Sequence, residues 1–216
     1  MTASTERASP LAGWAARFDA ASAQPEVFSI REIPFASQLN LRGDPSSAAF
    51  AGPVADALGC ALPLAANTVN EGYGSAALWL GPHEWLLVAP VGRNSEGRNE
   101  PLYARLSETL RGMHHSLTDV SASRTLIEIS GEHARLVLAK GCPIDLHGSR
   151  FAPGHCAQTL LAKSQVILQC VDDRPTFRIF VRISFAPYLA EWLTDAAAEL
   201  AASAGVDRVR LAAKLA

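Results

Sequence analysis

Two stretches of this 216-residue chain read alike, and together they restrict the fold more than anything else in it. The first runs QLNLRG and then ALGC, with Gly43 and Gly59-Cys60; the second runs LIEISG and then AKGC, with Gly131 and Gly141-Cys142. In each, a short run of strand-forming residues meets a glycine turn, an apolar run of helical length follows, and a second glycine marks the stop at which helices commonly end. A spacing of about eighty-five residues is too long for a solenoid unit and fits an ancient duplication of one folding motif.

Around these anchors the elements fall into order. Val27 to Glu32 alternates as a strand until Pro34, and Gln38 to Arg42 follows as another. Asp44-Pro45 supplies a cap and a fixed first helical φ, which predicts a helix from there to Leu58 with a kink or restart at Pro53. After a polar loop, Ala76 to Leu80 and Trp85 to Ala89 flank Gly81-Pro82-His83-Glu84 as a hairpin. A polar insert, GRNSEGRNE near Asn94, leads to a helix over Leu102 to Leu110 and a strand over Ser116 to Val120. The second copy reads as a strand over Thr125 to Ile129, then a helix begun by Ser130-Gly131 and stopped by Gly141-Cys142-Pro143. Strand pieces at Gln158 to Leu161, Val166 to Cys170 and Thr176 to Ile183 precede a helix over Tyr188 to Leu200. On the helix after Gly131, Glu132, Arg135 and Lys140 read as the solvated face, with Leu136, Val137 and Ala139 covering the sheet.

The expected class is α+β, with two packed ferredoxin-like β-α-β-β-α-β halves spanning 27–121 and 122–216, the second closing on a C-terminal helix. Residues 1–26 read either as a flexible leader or as an arm for a partner, since Leu11, Trp14 and Phe18 have helical spacing and are costly to leave in water.

Charge narrows the partners. Nineteen basic against 21 acidic residues leave a formal net charge of −2, too small to draw the chain to nucleic acid or an anionic membrane. No run reaches the ~18 apolar residues of a membrane helix, and the first 26 residues lack the apolar core of a secretory signal. A cytoplasmic protein is expected, and Cys60, Cys142, Cys156 and Cys170 read as reduced thiols.

Few residues carry obvious chemistry. His114 and His115 are adjacent on a strand, so their side chains point to opposite faces and do not share an ion. His155-Cys156 is a nucleophile only if the two side chains come within hydrogen-bond reach, and a cysteine among apolar neighbours is more often core filling. Asp119, Ser121, Ser123 and Arg124 either line a ligand surface or form a polar turn that satisfies its own backbone, the plainer reading. Neither a P-loop nor a glycine-rich dinucleotide fingerprint is present.

Four segments carry a resemblance: LGPHEWLLVAP (80–90), DVSASRTLIEISGEHARLVLAKGCPIDLH (119–147), CAQTLLAKSQVIL (156–168) and FRIFVRISFAPYLAEWLTDAA (177–197). Over roughly Val27 to Leu200 the chain resembles the gamma subunits of heterotetrameric sarcosine oxidases. The resemblance implies assembly with alpha, beta and delta subunits into an enzyme that demethylates sarcosine to glycine. That enzyme releases hydrogen peroxide and yields formaldehyde or methylenetetrahydrofolate. It also implies that FAD, FMN, NAD, zinc and the tetrahydrofolate site belong to the other subunits. No catalytic, cofactor-binding or metal residue transfers to this chain, which is expected to be structural, with Trp79, Trp85 and Trp192 available for packing and interfaces. The fold implied is that of the folate-binding part of glycine-cleavage T-proteins. The alternative is a free-standing folate-binding or one-carbon transfer protein, which a pocket between the halves lined by Asp119, Arg124 or Glu128 would favour.

Overall fold

A computed structural model describes residues 8–89 and 102–215, with side chains described through Leu200; the insert near Asn94 and residues 1–7 lie outside that range. In chain order the elements are helix α1 (Ala15–Ala21), strands β1 (Ser29–Ile33) and β2 (Ser37–Arg42), helix α2 (Ala48–Leu58), and strands β3 (Val69–Gly72), β4 (Ser75–Gly81) and β5 (Glu84–Ala89). Then come helix α3 (Leu102–Thr109), strands β6 (Ser116–Asp119) and β7 (Arg124–Ser130), helix α4 (Ala134–Ala139), strands β8 (Cys156–Leu161), β9 (Ser164–Asp172) and β10 (Thr176–Arg182), and helix α5 (Ala186–Leu215).

The strands form two antiparallel sheets, ordered β3-β4-β5-β2-β6 and β1-β7-β10-β9-β8. Strand periodicity decides the layering. Leu39 and Leu41 of β2 with Trp85 and Leu87 of β5 face α2 and α3, while Ile127, Ile129, Ile179 and Val181 face α1, α4 and α5. The alternate positions, among them Leu78, Leu86, Leu126, Ile167 and Phe180, meet between the two sheets. The result is four layers, helices outside and two sheets within, as strands apolar on both faces require. Burying each such side chain contributes about 1.5–3 kcal/mol before entropy is counted.

Leaving aside the edge strands β3 and β8, each sheet has the ferredoxin-like strand order, with one correction to the expected halves. β1 does not join the sheet of β2; it pairs antiparallel with β7, from Ser29 opposite Ser130 to Ile33 opposite Leu126. Among the described residues β1 covers the edge of β7 that faces away from β10, an edge that would otherwise stay unpaired. The exchange is symmetric: β1 runs directly into the first strand of the other sheet, β2, as β6 runs into β7. Gly131, just past β7, fits this junction because a Cβ there would lie 2.6 Å from the Val27 carbonyl oxygen, and its φ of 110° is a glycine conformation.

Other local readings shift for physical reasons. α2 starts at Ala48 because the Asp44 carboxylate accepts from the Ser46 amide at 2.9 Å and closes a turn ahead of the helix. β3 lies in the stretch read as a polar loop. On α4, Leu136 is exposed and Arg135 turns inward, donating to the Leu146 and Phe151 carbonyls with its guanidinium 5.0 Å from the centre of the Phe177 ring. Within the segment read as a leader or arm, Leu11 and Phe18 are buried in this chain's own core beside α5. Trp85 is fully buried, its indole N–H donating to the Pro63 carbonyl at 2.8 Å, and is closed to any partner.

Candidate functional site

The inner face of the second sheet is organised in cross-strand rungs. One rung runs Arg31, Glu128, Arg178, Gln169 and Cys156 across five strands. The next runs Ile33, Leu126, Phe180, Ile167 and Gln158. The third holds Arg124 opposite Arg182 and, farther across, Gln165 opposite Leu160. The middle rung is largely apolar, its hydrophobic members packing against the first sheet, and the two flanking rungs bear charges.

At the first rung the charges are matched. The Glu128 side chain is 9% exposed and accepts from Arg31 Nε at 2.9 Å and Arg178 Nε at 3.1 Å. Gln169 donates through Nε2 to Glu71 Oε1 at 2.9 Å, joining the two sheets. Beside them opens a cavity of about 430 Å³, lined by Ile33, Ala36, Glu71, Ser75, Leu126 and Arg178 among others. A ligand there would meet a mainly apolar wall and charged groups already engaged, Glu71 by Gln169 and Arg178 by Glu128, an arrangement suited to binding or packing.

The third rung is different. Arg124 and Arg182 are direct cross-strand neighbours, and among the described residues neither guanidinium has an ion-pair partner. Burial first, and Arg182 second, pull the Arg124 guanidinium below its ordinary pKa. The two arginines line an open groove of about 570 Å³ with Gln158, Leu160 and Gln165.

The residues singled out in the sequence are scattered. Asp119 accepts from the Ser121 amide at 2.9 Å and from its hydroxyl at 2.6 Å. The Ser121 hydroxyl in turn accepts from the Gln38 amide at 2.9 Å, so the polar run is a turn stitching β6 to β7. His114 is exposed, and His115 Nδ1 lies 3.0 Å from the Met113 carbonyl oxygen. His155 and Cys156 do not pair: His155 Nδ1 lies 3.0 Å from the Ala152 carbonyl oxygen, while Cys156 Sγ meets the carbonyls of Thr68 and Trp79 at 3.5 and 3.6 Å. Burial pushes the Cys156 thiol up to about 11, and also raises Cys60 and Cys170, which disfavours a nucleophilic thiolate. All four cysteines are free thiols. Among the described residues no group of three or more His, Cys, Asp or Glu side chains is placed to hold a metal ion.

The matched rung escaped the sequence reading, yet it left a trace there. Arg31, Glu128 and Arg178 each interrupt an apolar strand at an inward position, which a single strand cannot satisfy and three adjacent strands can.

A family model described as the sarcosine oxidase gamma subunit family matches residues 42–199. The sarcosine oxidase subunit gamma of Corynebacterium sp. (strain U-96) is 37% identical over 199 residues, covering 91% of this chain and 93% of that one. The chain belongs to the sarcosine oxidase gamma subunit family. A second gamma subunit, from Corynebacterium sp. (strain P-1), is 38% identical over 80% of this chain and 81% of its own length. The solved heterotetrameric sarcosine oxidase from Corynebacterium sp. U-96, in complex with pyrrole 2-carboxylate, contains a chain that superposes with a TM-score of 0.79 at 36% identity, over 89% of this chain and 95% of that one. The glycine cleavage aminomethyltransferase T of Bartonella henselae shares the fold, with a TM-score of 0.57 at 17% identity over 82% of this chain and 48% of that one. The family match begins at Arg42, so the exchanged strand β1 and the helix α1 of this gamma-family chain, which buries Phe18, lie ahead of it.

Proposed function

We propose that this chain is a structural subunit of a heterotetrameric sarcosine oxidase, assembling with alpha, beta and delta subunits and inactive by itself. The observation that carries this reading is near-full-length similarity to a gamma subunit, 37% identity over 91% of the chain. In this reading sarcosine loses its N-methyl group in the other subunits, giving glycine, hydrogen peroxide and formaldehyde or methylenetetrahydrofolate. FAD, FMN, NAD, zinc and tetrahydrofolate are held there. The complex resides in the cytoplasm; none of the helices among the described residues is long and apolar enough to cross a membrane.

The layout of side chains supports a scaffold over a catalyst. Cys142, Cys156 and Cys170 are buried, burial raises the Cys60, Cys156 and Cys170 thiols, and the residues whose meeting in one pocket would favour a folate-binding protein lie apart. Asp119 caps a turn, Arg124 lines the open groove, and Glu128 is engaged by two arginines. Calorimetry of the isolated chain with tetrahydrofolate separates the two readings. No heat is expected at millimolar folate, whereas saturable binding would favour the one-carbon protein. Co-purification with the other subunits should bring flavin absorbance and sarcosine-dependent peroxide formation together.

A further inference from the structure

An apolar patch left exposed beside a packed sheet face marks a surface that something outside the chain can cover. On the second sheet, the inner face is packed against the first sheet at Leu126, Ile167 and Phe180. Two residues farther along the same strands, the same face carries Arg124, Gln165 and Arg182, and here the first sheet no longer reaches: the 570 Å³ groove stands open. Leu160 on the edge strand β8 is 46% exposed at this groove, and Ile183, Phe185 and Tyr188, which follow Arg182 in the chain, are 47%, 45% and 39% exposed.

Like charges directly opposite on neighbouring strands destabilise a sheet. On the same sheet Arg31 and Arg178 both meet the Glu128 carboxylate, whereas Arg124 and Arg182 face each other without one. A negative group from outside would remove the repulsion. A small anion would answer the two guanidiniums but would leave the groove's apolar wall, with Leu160, in water. A second copy of this chain, docked about a twofold axis through the groove, would set one arginine pair against another. The occupant that answers both features is a peptide segment with carboxylates flanked by apolar side chains.

We propose that this open end of the sheet, centred on Arg124 and Arg182, seats an acidic, partly apolar segment of a partner subunit. The inference rests on the reading of the chain as a subunit of an assembly and adds the chemistry of one contact. Truncating or reversing one member of a docked charge pair weakens binding substantially, so Arg182→Glu is expected to raise the dissociation constant for the partner subunits by about tenfold or more. The same variant replaces a repulsive cross-strand pair by an attractive one, so the isolated chain is expected to keep or raise its urea midpoint. Opposite signs for folding and for assembly are not what a merely structural arginine would give.

The experiment measures association of wild type, Arg182→Glu and Arg182→Lys with the co-expressed partner subunits, beside urea unfolding of each isolated chain. Arg182→Lys should bind within a few-fold of wild type, with binding that weakens as salt rises. Wild type associating and Arg182→Glu associating equally, within about twofold, would overturn the docking surface alone. Failure of wild type to associate at all would sink the subunit reading and this inference together. The inference also fails if Arg182→Glu abolishes only self-association, or abolishes only stabilisation by inorganic phosphate, with partner binding unchanged; the occupant would then be a second copy or a small anion.

Discussion

The two charged ends of the inner sheet face are built from the same residue type and treat it in opposite ways. At one end Glu128 stands between Arg31 and Arg178, so both positive charges share a counter-charge within the chain. At the other, Arg124 faces Arg182 with nothing negative between them. The first arrangement completes itself on folding and belongs to stability. The second is complete only with a partner, and in a family of oligomeric enzyme subunits that difference separates scaffold from interface.

Mutations at the two ends should therefore behave differently. The largest effect is expected for Glu128→Ala, which leaves two arginines facing each other beside a buried gap. A loss of about 3 kcal/mol should appear as a lowered urea midpoint with an unchanged slope. A pH effect comes next, because Cys156 shares that rung and its thiol is held at about 11 against an ordinary 9.0. A raised thiol pKa favours the folded state below pH 9 and loses that advantage as pH climbs through about 11. Stability should fall across that window in wild type and fall less in Cys156→Ser, measured relative to each protein's own value at pH 8. Arg31→Ala should cost no more than about 1 kcal/mol, since that side chain is 71% exposed and its pairing is screened by solvent. The smallest effect is at the open end, where Arg124→Gln should leave the midpoint unchanged or slightly raised by removing a half-buried, repelled charge. A drop of about 1 kcal/mol or more there, the size of an ordinary hydrogen bond, would erase the contrast.

Much of the fold was legible because it is local. Gly43, Gly59, Gly131 and Gly141 mark turns and helix ends, and the alternation in LIEIS and FRIFV fixes two strands whatever surrounds them. The exchange of β1 was not legible, because the pattern of Val27 to Glu32 suits an edge of either sheet and the choice is made by its pairing with β7, far away in sequence. β3 was missed for a related reason: VNEG is short and polar and is a strand only because it pairs with β4. Arg135 and Leu136 traded faces because a helix of six residues has too few turns for its periodicity to decide against two waiting carbonyls. The arginine pair shows the same limit for the site. Arg124 was noticed within its turn, but Arg182 becomes its neighbour only through the register of β7 with β10.

The most direct measurement is side-chain footprinting of this chain alone and within the assembled oxidase, read together with sarcosine-dependent peroxide formation by each sample. Peroxide should form only in the assembly, with Leu160, Phe185 and Tyr188 becoming protected there and the Glu128 end labelled equally in both. Turnover by the isolated chain, or protection that spares the Arg124 and Arg182 end, would contradict the account.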